Sequence, residues 1–230
     1  MRFGLQKLTL LDYPGKVACT IFSCGCNYRC PFCHNAMLVT GRDEDMALSR
    51  EELFAFLKTR TKILDGVAIT GGEPLLHADM PDLIREIKSL GFAVKLDTNG
   101  SFPEALEKLI SAKLIDRVAV DIKNCPAKYA KTSGSESALE KVRQTVELLM
   151  QGNMDYEFRT TVVGGFHAPG DFVEIGKWIA GAKAYFLQKF TDSGEVLALN
   201  PEMGSLTDAD LEGFLAEVKP YVPGAAIRGR

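Results

Sequence analysis

Val67-Ala68-Ile69-Thr70-Gly71-Gly72-Glu73-Pro74 is a short β-branched run that stops at a glycine pair and restarts at a proline. Glycine permits positive φ and proline opens a helix, so the octet reads as a strand followed by a βα turn. Leu83, Ile84, Ile87 and Leu90 then recur at helical spacing and define one apolar face. The same beat repeats outward in both directions, with strand-like runs at Ala18–Ser23, Ala93–Asp97, Val118–Asp121, Tyr156–Val163 and Tyr185–Lys189. Helical stripes separate them: Ser49-x-x-Glu52 is a capping box, Leu106, Leu109, Ile110 and Leu114 form one face, Leu139, Val142, Val146 and Leu149 another, and Leu211, Phe214, Leu215 and Val218 a last one behind an N-cap at Thr207.

Strands alternating with helices imply right-handed crossovers and a parallel sheet. Eight βα units ordinarily need about 250 residues. A chain of 230 residues with six beats and an N-terminal extension is therefore expected to form one α/β domain over 1–230, a partial, open (β/α)6 barrel of TIM type with a short N-terminal extension. Chemistry in parallel α/β barrels sits at the C-terminal ends of the strands. Four polar or glycine-rich segments fall there: Cys26 to Cys33, Gly71 to Pro74, Asp97 to Gly100, and Asp121 to Lys123.

Hydrophobic content of 46% and charged content of 25% are those of an ordinary globular protein, with no apolar run long enough to span a bilayer. The first residues include Arg2, Lys7 and Asp12 and lack a signal-peptide core, so a cytoplasmic location with reduced thiols is expected. A net charge of -3 and the lack of a long basic run argue against nucleic acid as a partner. Six cysteines in such a chain, three of them in one loop, read as metal ligands rather than a disulfide framework.

The loop is Gly25-Cys26-Asn27-Tyr28-Arg29-Cys30-Pro31-Phe32-Cys33-His34-Asn35. Three thiols at such close spacing suit a cubane iron-sulfur cluster and leave one of its four irons to bind a small molecule. A closed zinc site with Cys24 as fourth ligand is the alternative, although it leaves the motifs at the other strand ends unexplained. Cys19 reads as a buried strand residue and Cys125 as a loop thiol.

Cys26-x-x-x-Cys30-x-x-Cys33 with Phe32, followed by Gly71-Gly72-Glu73-Pro74, resembles the radical S-adenosylmethionine (SAM) superfamily. The nearer likeness is to the activating enzymes of glycyl radical enzymes. Leu11-Asp12-Tyr13-Pro14-Gly15-Lys16, leading into Thr20-Ile21-Phe22, is similar to the opening of those that serve anaerobic ribonucleotide reductase. The likeness is weakest beyond about Lys189. It implies a single radical SAM domain with a [4Fe-4S] cluster on Cys26, Cys30 and Cys33, and SAM completing the fourth iron. Reductive cleavage of SAM would give a 5'-deoxyadenosyl radical that takes an α-hydrogen from a glycine of a partner glycyl radical enzyme. The electron would come from a low-potential donor such as flavodoxin or ferredoxin. With the cluster and SAM carrying the radical chemistry, no side chain is expected to be catalytic in its own right. With no further cysteine-rich insert after residue 33, one cluster is expected.

The resemblance also assigns roles at the strand ends. Phe32, Gly71, Gly72, Glu73, Thr98, Asn99, Asp121 and Lys123 fall near SAM, and a monovalent cation is implied with Asp97, Thr98 and Asp121 beside it. Arg159, by alternation on the face shared with Thr161 and Val163, is a clamp for the SAM carboxylate if that face is inward. Each has a plainer reading. Gly71 to Pro74 also fits an ordinary βα turn, Asp97-Thr98-Asn99-Gly100 an Asx-type turn, Asp121-x-Lys123 a buried ion pair, and Arg159 a structural ion pair. His34, His77 and His167 read as hydrogen-bonded bystanders and Trp178 as core. The run Gln188-Lys189-Phe190 stands where related activators carry Pro-Tyr-His, which argues against a pyruvate formate-lyase activator. A radical SAM enzyme acting on a small molecule or a nucleic-acid base is the enzymatic rival, and an iron-sulfur or zinc module the non-enzymatic one.

Overall fold

The structure, a computed structural model, describes residues 2–41, 48–191, 196–198 and 203–229. They gather into two compact units. One comprises Met1–Asn27, Met37–Thr98 and Phe102–Val118, the other Tyr28–Ala36, Asn99–Ser101 and Ala119–Arg230.

The first unit is built on β1 (Phe3–Thr9), β2 (Ala18–Ser23), α1 (Ala36–Thr40), α2 (Arg50–Lys58), β3 (Gly66–Gly71), α3 (Met80–Ser89), β4 (Ala93–Thr98) and α4 (Pro103–Ser111). β1 pairs antiparallel with β2, which pairs parallel with β3, and β3 with β4. The N-terminal extension expected from the sequence is thus a strand, whose half-exposed Phe-Gly-Leu-Gln-Lys-Leu-Thr pattern hid its period. Register separates the two sheet faces. Cys19, Val67 and Val94 lie in one row and Ile21, Ile69 and Leu96 in the next, all fully buried, and α3 completes this apolar layer with Met80, Leu83, Ile84 and Ile87. The other face carries Thr20, Ala68 and Lys95 in one row, with Asp97 two residues beyond Lys95. α2 opens with the expected capping box, Ser49 Oγ accepting from Glu52 N at 3.2 Å and Glu52 Oε2 from Ser49 N at 2.9 Å.

Asp12-Tyr13 proves architectural. Thr20 Oγ1 donates to Asp12 Oδ2 at 2.5 Å, and Tyr13 packs so closely on Gly66 that a Cβ there would meet its ring at 3.0 Å. Leu8, Leu10 and Leu11 of the same hairpin are exposed.

β5 (Arg117–Asp121) leads into the second unit, which holds α5 (Tyr129–Ser133), α6 (Ala138–Gln151), β6 (Asp155–Val162), α7 (Asp171–Trp178), β7 (Tyr185–Lys189), α8 (Asp208–Val218) and β8 (Ala226–Arg228). β6, β7 and β8 pair in parallel. β8, three residues long, was too short to register as a strand in the sequence. On α6 the buried stripe begins at Ala138 rather than Leu139, which is half-buried, and continues through Val142, Val146 and Leu149. Trp178 is half-buried, its ring set edge-on to Tyr129 at 5.8 Å. Glu157, fully buried, is neutralised by the Arg228 fork at 2.7 and 2.9 Å, and that guanidinium lies 3.7 Å from the centre of the Phe186 ring.

Candidate functional site

In the first unit the root of the cysteine loop is laced to the turn after β3. Gly72 N donates to Ser23 O at 2.9 Å and Glu73 N to Gly25 O at 2.8 Å, while Gly25 N donates to Leu38 O at 2.8 Å. The lacing explains both glycines. Gly71 has a φ of 116° and a Cβ there would lie 2.5 Å from Ser23 N and O; a Cβ on Gly72 would lie 1.9 Å from Gly25 O. The space beside these glycines is therefore filled by the backbone that leads into Cys26. His77 Nε2 meets the Cys24 carbonyl at 2.7 Å and ties the loop a second time.

Glu73 is fully buried, and its Oε1 accepts from Leu75 N at 3.0 Å and from Thr98 Oγ1 at 2.8 Å. The carboxylate caps the 3-10 turn Pro74–Leu76 and fixes the end of β4 at once. On β4 itself, Lys95 Nζ donates to Asp97 Oδ1, both side chains being buried.

In the second unit, Tyr28–Ala36 is held by Arg29 N donating to Ser133 O at 2.8 Å, by Ala198 N donating to Pro31 O at 3.1 Å, and by Leu197 N donating to Cys33 O at 3.2 Å. A turn with Cys33 N on Cys30 O at 3.1 Å places those two thiols on one bend. Phe32 is buried edge-on against Phe166 at 5.4 Å, and His34 stacks on Phe190 at 5.0 Å. Asn99 forms the Asx-type turn, its Oδ1 accepting from Ser101 N at 2.9 Å and Ser101 Oγ at 2.6 Å.

Asp121, Lys123 and Arg159 come together as a charged triad. Arg159 Nε and Nη2 each approach Asp121 Oδ1 at 3.0 Å, and Lys123 Nζ donates to Oδ2 at 3.0 Å. Burial opposes the charge on Asp121, but Arg159 and then Lys123 outweigh it and hold the carboxyl well below its ordinary range. For Lys123, burial is likewise outweighed by the Asp121 carboxylate and by the thiols of Cys30 and Cys33, which keep the ammonium protonated well above its usual range. The backbone bearing the triad is pinned at each residue. Tyr129 Oη donates to Asp121 O at 3.3 Å and accepts from Lys123 N at 3.3 Å, Thr160 Oγ1 donates to Ile122 O at 2.7 Å, and Ile122 N donates to Arg159 O at 2.7 Å. His167 Nδ1 accepts from Val163 N at 3.0 Å, which leaves Nε2–H to donate to Lys123 O at 3.1 Å. Burial lowers the His167 pKa, in keeping with a neutral ring. Tyr129, Thr160 and His167 form a frame that no motif announced, because each is a common polar residue whose role exists only once β5 and β6 are assembled.

The remaining cysteines separate from the loop. Cys19 is fully buried in β2, its thiol pushed up to about 12 by burial, and Cys125 is buried with Sγ 3.4 Å from Asp171 Oδ1. Among the described residues no group of three or more His, Cys, Asp or Glu side chains is arranged to hold a metal ion. The donor chemistry fits a cluster nonetheless. Three thiols occupy one eight-residue stretch, and the Lys123 ammonium interacts electrostatically with Cys30 and Cys33.

The fold defines a class: α/β proteins with an open sheet, of the partial TIM-type barrel kind, whose chemistry sits at the strand ends. The family model of the radical SAM superfamily matches residues 20–179, and the chain belongs to that superfamily, whose cofactors are a [4Fe-4S] cluster and SAM. A protein of Methanocaldococcus jannaschii, provisionally assigned as a glycyl-radical enzyme activating enzyme, is 35% identical over 81% of this chain and 78% of its own length. The GTP 3',8-cyclase of Peptoclostridium acidaminophilum is 26% identical over 87% of this chain and 67% of the cyclase. Among solved structures, Streptococcus suis SuiB bound to S-adenosylmethionine superimposes with a TM-score of 0.70 at 16% identity, covering 90% of this chain and 49% of that one, a likeness of fold.

Proposed function

We propose that this radical SAM enzyme installs a glycyl radical on a partner protein, anaerobic ribonucleotide reductase being the partner that the Leu11–Lys16 segment favours. The observation that carries the reading is the 35% identity to the Methanocaldococcus protein over most of both chains. We read both units as parts of one radical SAM domain over 1–230, in support of which the family match at 20–179 draws on each.

In this reading Cys26, Cys30 and Cys33 hold the cluster. The chemistry the bound groups supply is one-electron reductive cleavage of SAM, ending in removal of hydrogen from a glycine. This chain's own residues bind and orient. Lys123, kept protonated by Asp121 and the neighbouring thiols, is a fixed positive charge for the SAM carboxylate, and Arg159 adds a second. Asp121 carries the negative charge and aims both cations. Tyr129, Thr160 and His167 prevent the segment from shifting as ligands enter. Phe32, packed on Phe166, shields the loop from water. Gly71, Gly72, Glu73, Thr98 and Asn99 shape the adjoining backbone. A flavodoxin or ferredoxin supplies the electron, and the cytoplasm is the compartment proposed. No helix among the described residues is long and apolar enough to cross a membrane.

The test is electron paramagnetic resonance on anaerobic mixtures of reduced protein, SAM and a candidate reductase. A glycyl radical doublet is expected. Efficient SAM cleavage with no doublet on any glycyl radical enzyme of the same source would overturn the activating role, and conversion of GTP to a cyclised product would move the reading to the cyclases.

A further inference from the structure

Lys95 is 1% exposed and stands two residues before Asp97 on one face of β4. Burying an ammonium is costly unless it is paired, and here its Nζ donates to Asp97 Oδ1. The sequence makes room for it: Ala68 is its register partner on β3, and the methyl group leaves the width that a lysine stem needs. This is the carboxylate at which the family resemblance implies an exchangeable monovalent cation.

The donor set does not fit such an ion. A hard cation collects oxygen lone pairs from several ligands. Asp97 faces the Lys95 ammonium, and the two oxygens of Asp121 face Lys123 and Arg159. An alkali ion at Asp97 would also meet the repulsion of the Lys95 charge at close range.

We propose that Lys95 is a positioning residue that supplies, from within the chain, the positive charge at Asp97, so that SAM binding needs no sodium or potassium. The proposal rests on the reading that the end of β4 adjoins SAM. Lys95 acts through Asp97: it neutralises the carboxylate and fixes its rotamer, and with it the β4 end and the Asn99 turn. A built-in ammonium cannot dissociate, so the site would not respond to the ionic composition of the medium.

The experiment measures the SAM dissociation constant of the anaerobically reconstituted protein at one ionic strength in potassium, sodium or choline chloride, choline being too large to enter an oxygen cage. The wild type is expected to differ by less than about twofold across the three salts, within ordinary scatter of ionic-strength effects. A saturable gain above twofold from potassium or sodium would overturn the proposal, whether or not any variant folds. Lys95→Met should weaken SAM binding in choline by about tenfold or more, the loss of one charge-assisted contact, and potassium or sodium should restore it. Lys95→Arg should stay indifferent to the salt. A folded Lys95→Met protein that neither loses affinity nor gains a cation response would likewise refute the role. Absence of SAM binding in every salt would instead strike at the SAM site itself, and this inference would fall with it. SAM binding without glycyl radical formation would leave it standing.

Discussion

Gly72→Ala is the sharpest probe of how the site is built. The added Cβ would lie 1.9 Å from Gly25 O and 2.6 Å from Gly25 C. A carbon–oxygen contact normally stands at about 3.3 Å, so the two backbones must part by roughly 1.4 Å. That separation breaks the 2.9 Å bond from Gly72 N to Ser23 O and the 2.8 Å bond from Glu73 N to Gly25 O. Each lost bond costs about 1 kcal/mol and the forced repacking a further 1–3 kcal/mol, for a total of about 3–5 kcal/mol. With a urea slope of about 2.5 kcal/mol/M, the unfolding midpoint of the apoprotein should fall by about 1.2–2 M. Gly213 in α8 provides the control. Nothing lies within 4 Å of its added Cβ, and alanine there should stabilise by about 0.5–1 kcal/mol. Both variants would be followed by circular dichroism in urea and by anaerobic iron titration. A Gly72→Ala protein with the wild-type midpoint and full iron content would refute the lacing of the two segments.

Cysteine variants come next: anaerobic reconstitution should give about four irons and four sulfides per chain, lost in Cys26→Ala, Cys30→Ala and Cys33→Ala but kept in Cys24→Ala, and iron loss in the last would favour a four-thiol site. Lys123→Ala and Asp121→Asn should retain the iron while weakening SAM binding and cleavage, and unchanged SAM affinity in both would reduce the triad to a structural role. The same pair sets a pH window. The Asp121 contribution is complete above the ordinary carboxylate range near pH 4 and is lost as pH falls through its depressed pKa, whereas that of Lys123 is complete below about pH 10 and is lost as pH rises through its elevated one. The triad should therefore contribute a constant stability between about pH 5 and 9, and a urea midpoint difference between wild type and Asp121→Asn that varied across that range would contradict the assignment. Cys19, with its thiol pushed up to about 12, should resist iodoacetamide at pH 8 until the chain is unfolded.

The strands were legible where burial is two-sided, since continuous apolar runs such as Val67–Thr70 and Val118–Asp121 need no period to stand out. β1 and β8 escaped because one is half-exposed and the other spans three residues. The cysteine loop and Asp121-x-Lys123 announce themselves by residue type at short spacing. What spacing could not convey is partnership over long separations. Glu73 with Thr98, His77 with the Cys24 carbonyl, and His167 with the Lys123 carbonyl join residues 25 to 53 positions apart. Lys95 lies within two residues of Asp97, yet it too was passed over, because a lysine inside an apolar run reads as an interruption until the face it shares becomes visible. The glycine pair stands out in the sequence, but its close approach to the Ser23–Gly25 backbone, another separation of nearly fifty residues, does not.

That backbone lacing bears on how the enzyme is assembled. A loop of metal ligands hanging from one flexible point would have to search a large volume before three thiols met one cluster, and the cost of closure would fall at the moment of iron delivery. Here the segment before Cys26 is tied at Ser23, Cys24 and Gly25, and the segment after it at Arg29, Pro31 and Cys33, all by main-chain bonds or a histidine that owe nothing to metal. Much of the ordering of these segments is thus done by bonds made during folding. On the ligand set proposed above, such a chain would be folded before cluster delivery, and refilling after oxidative loss of the cluster would not require it to be unfolded and made again.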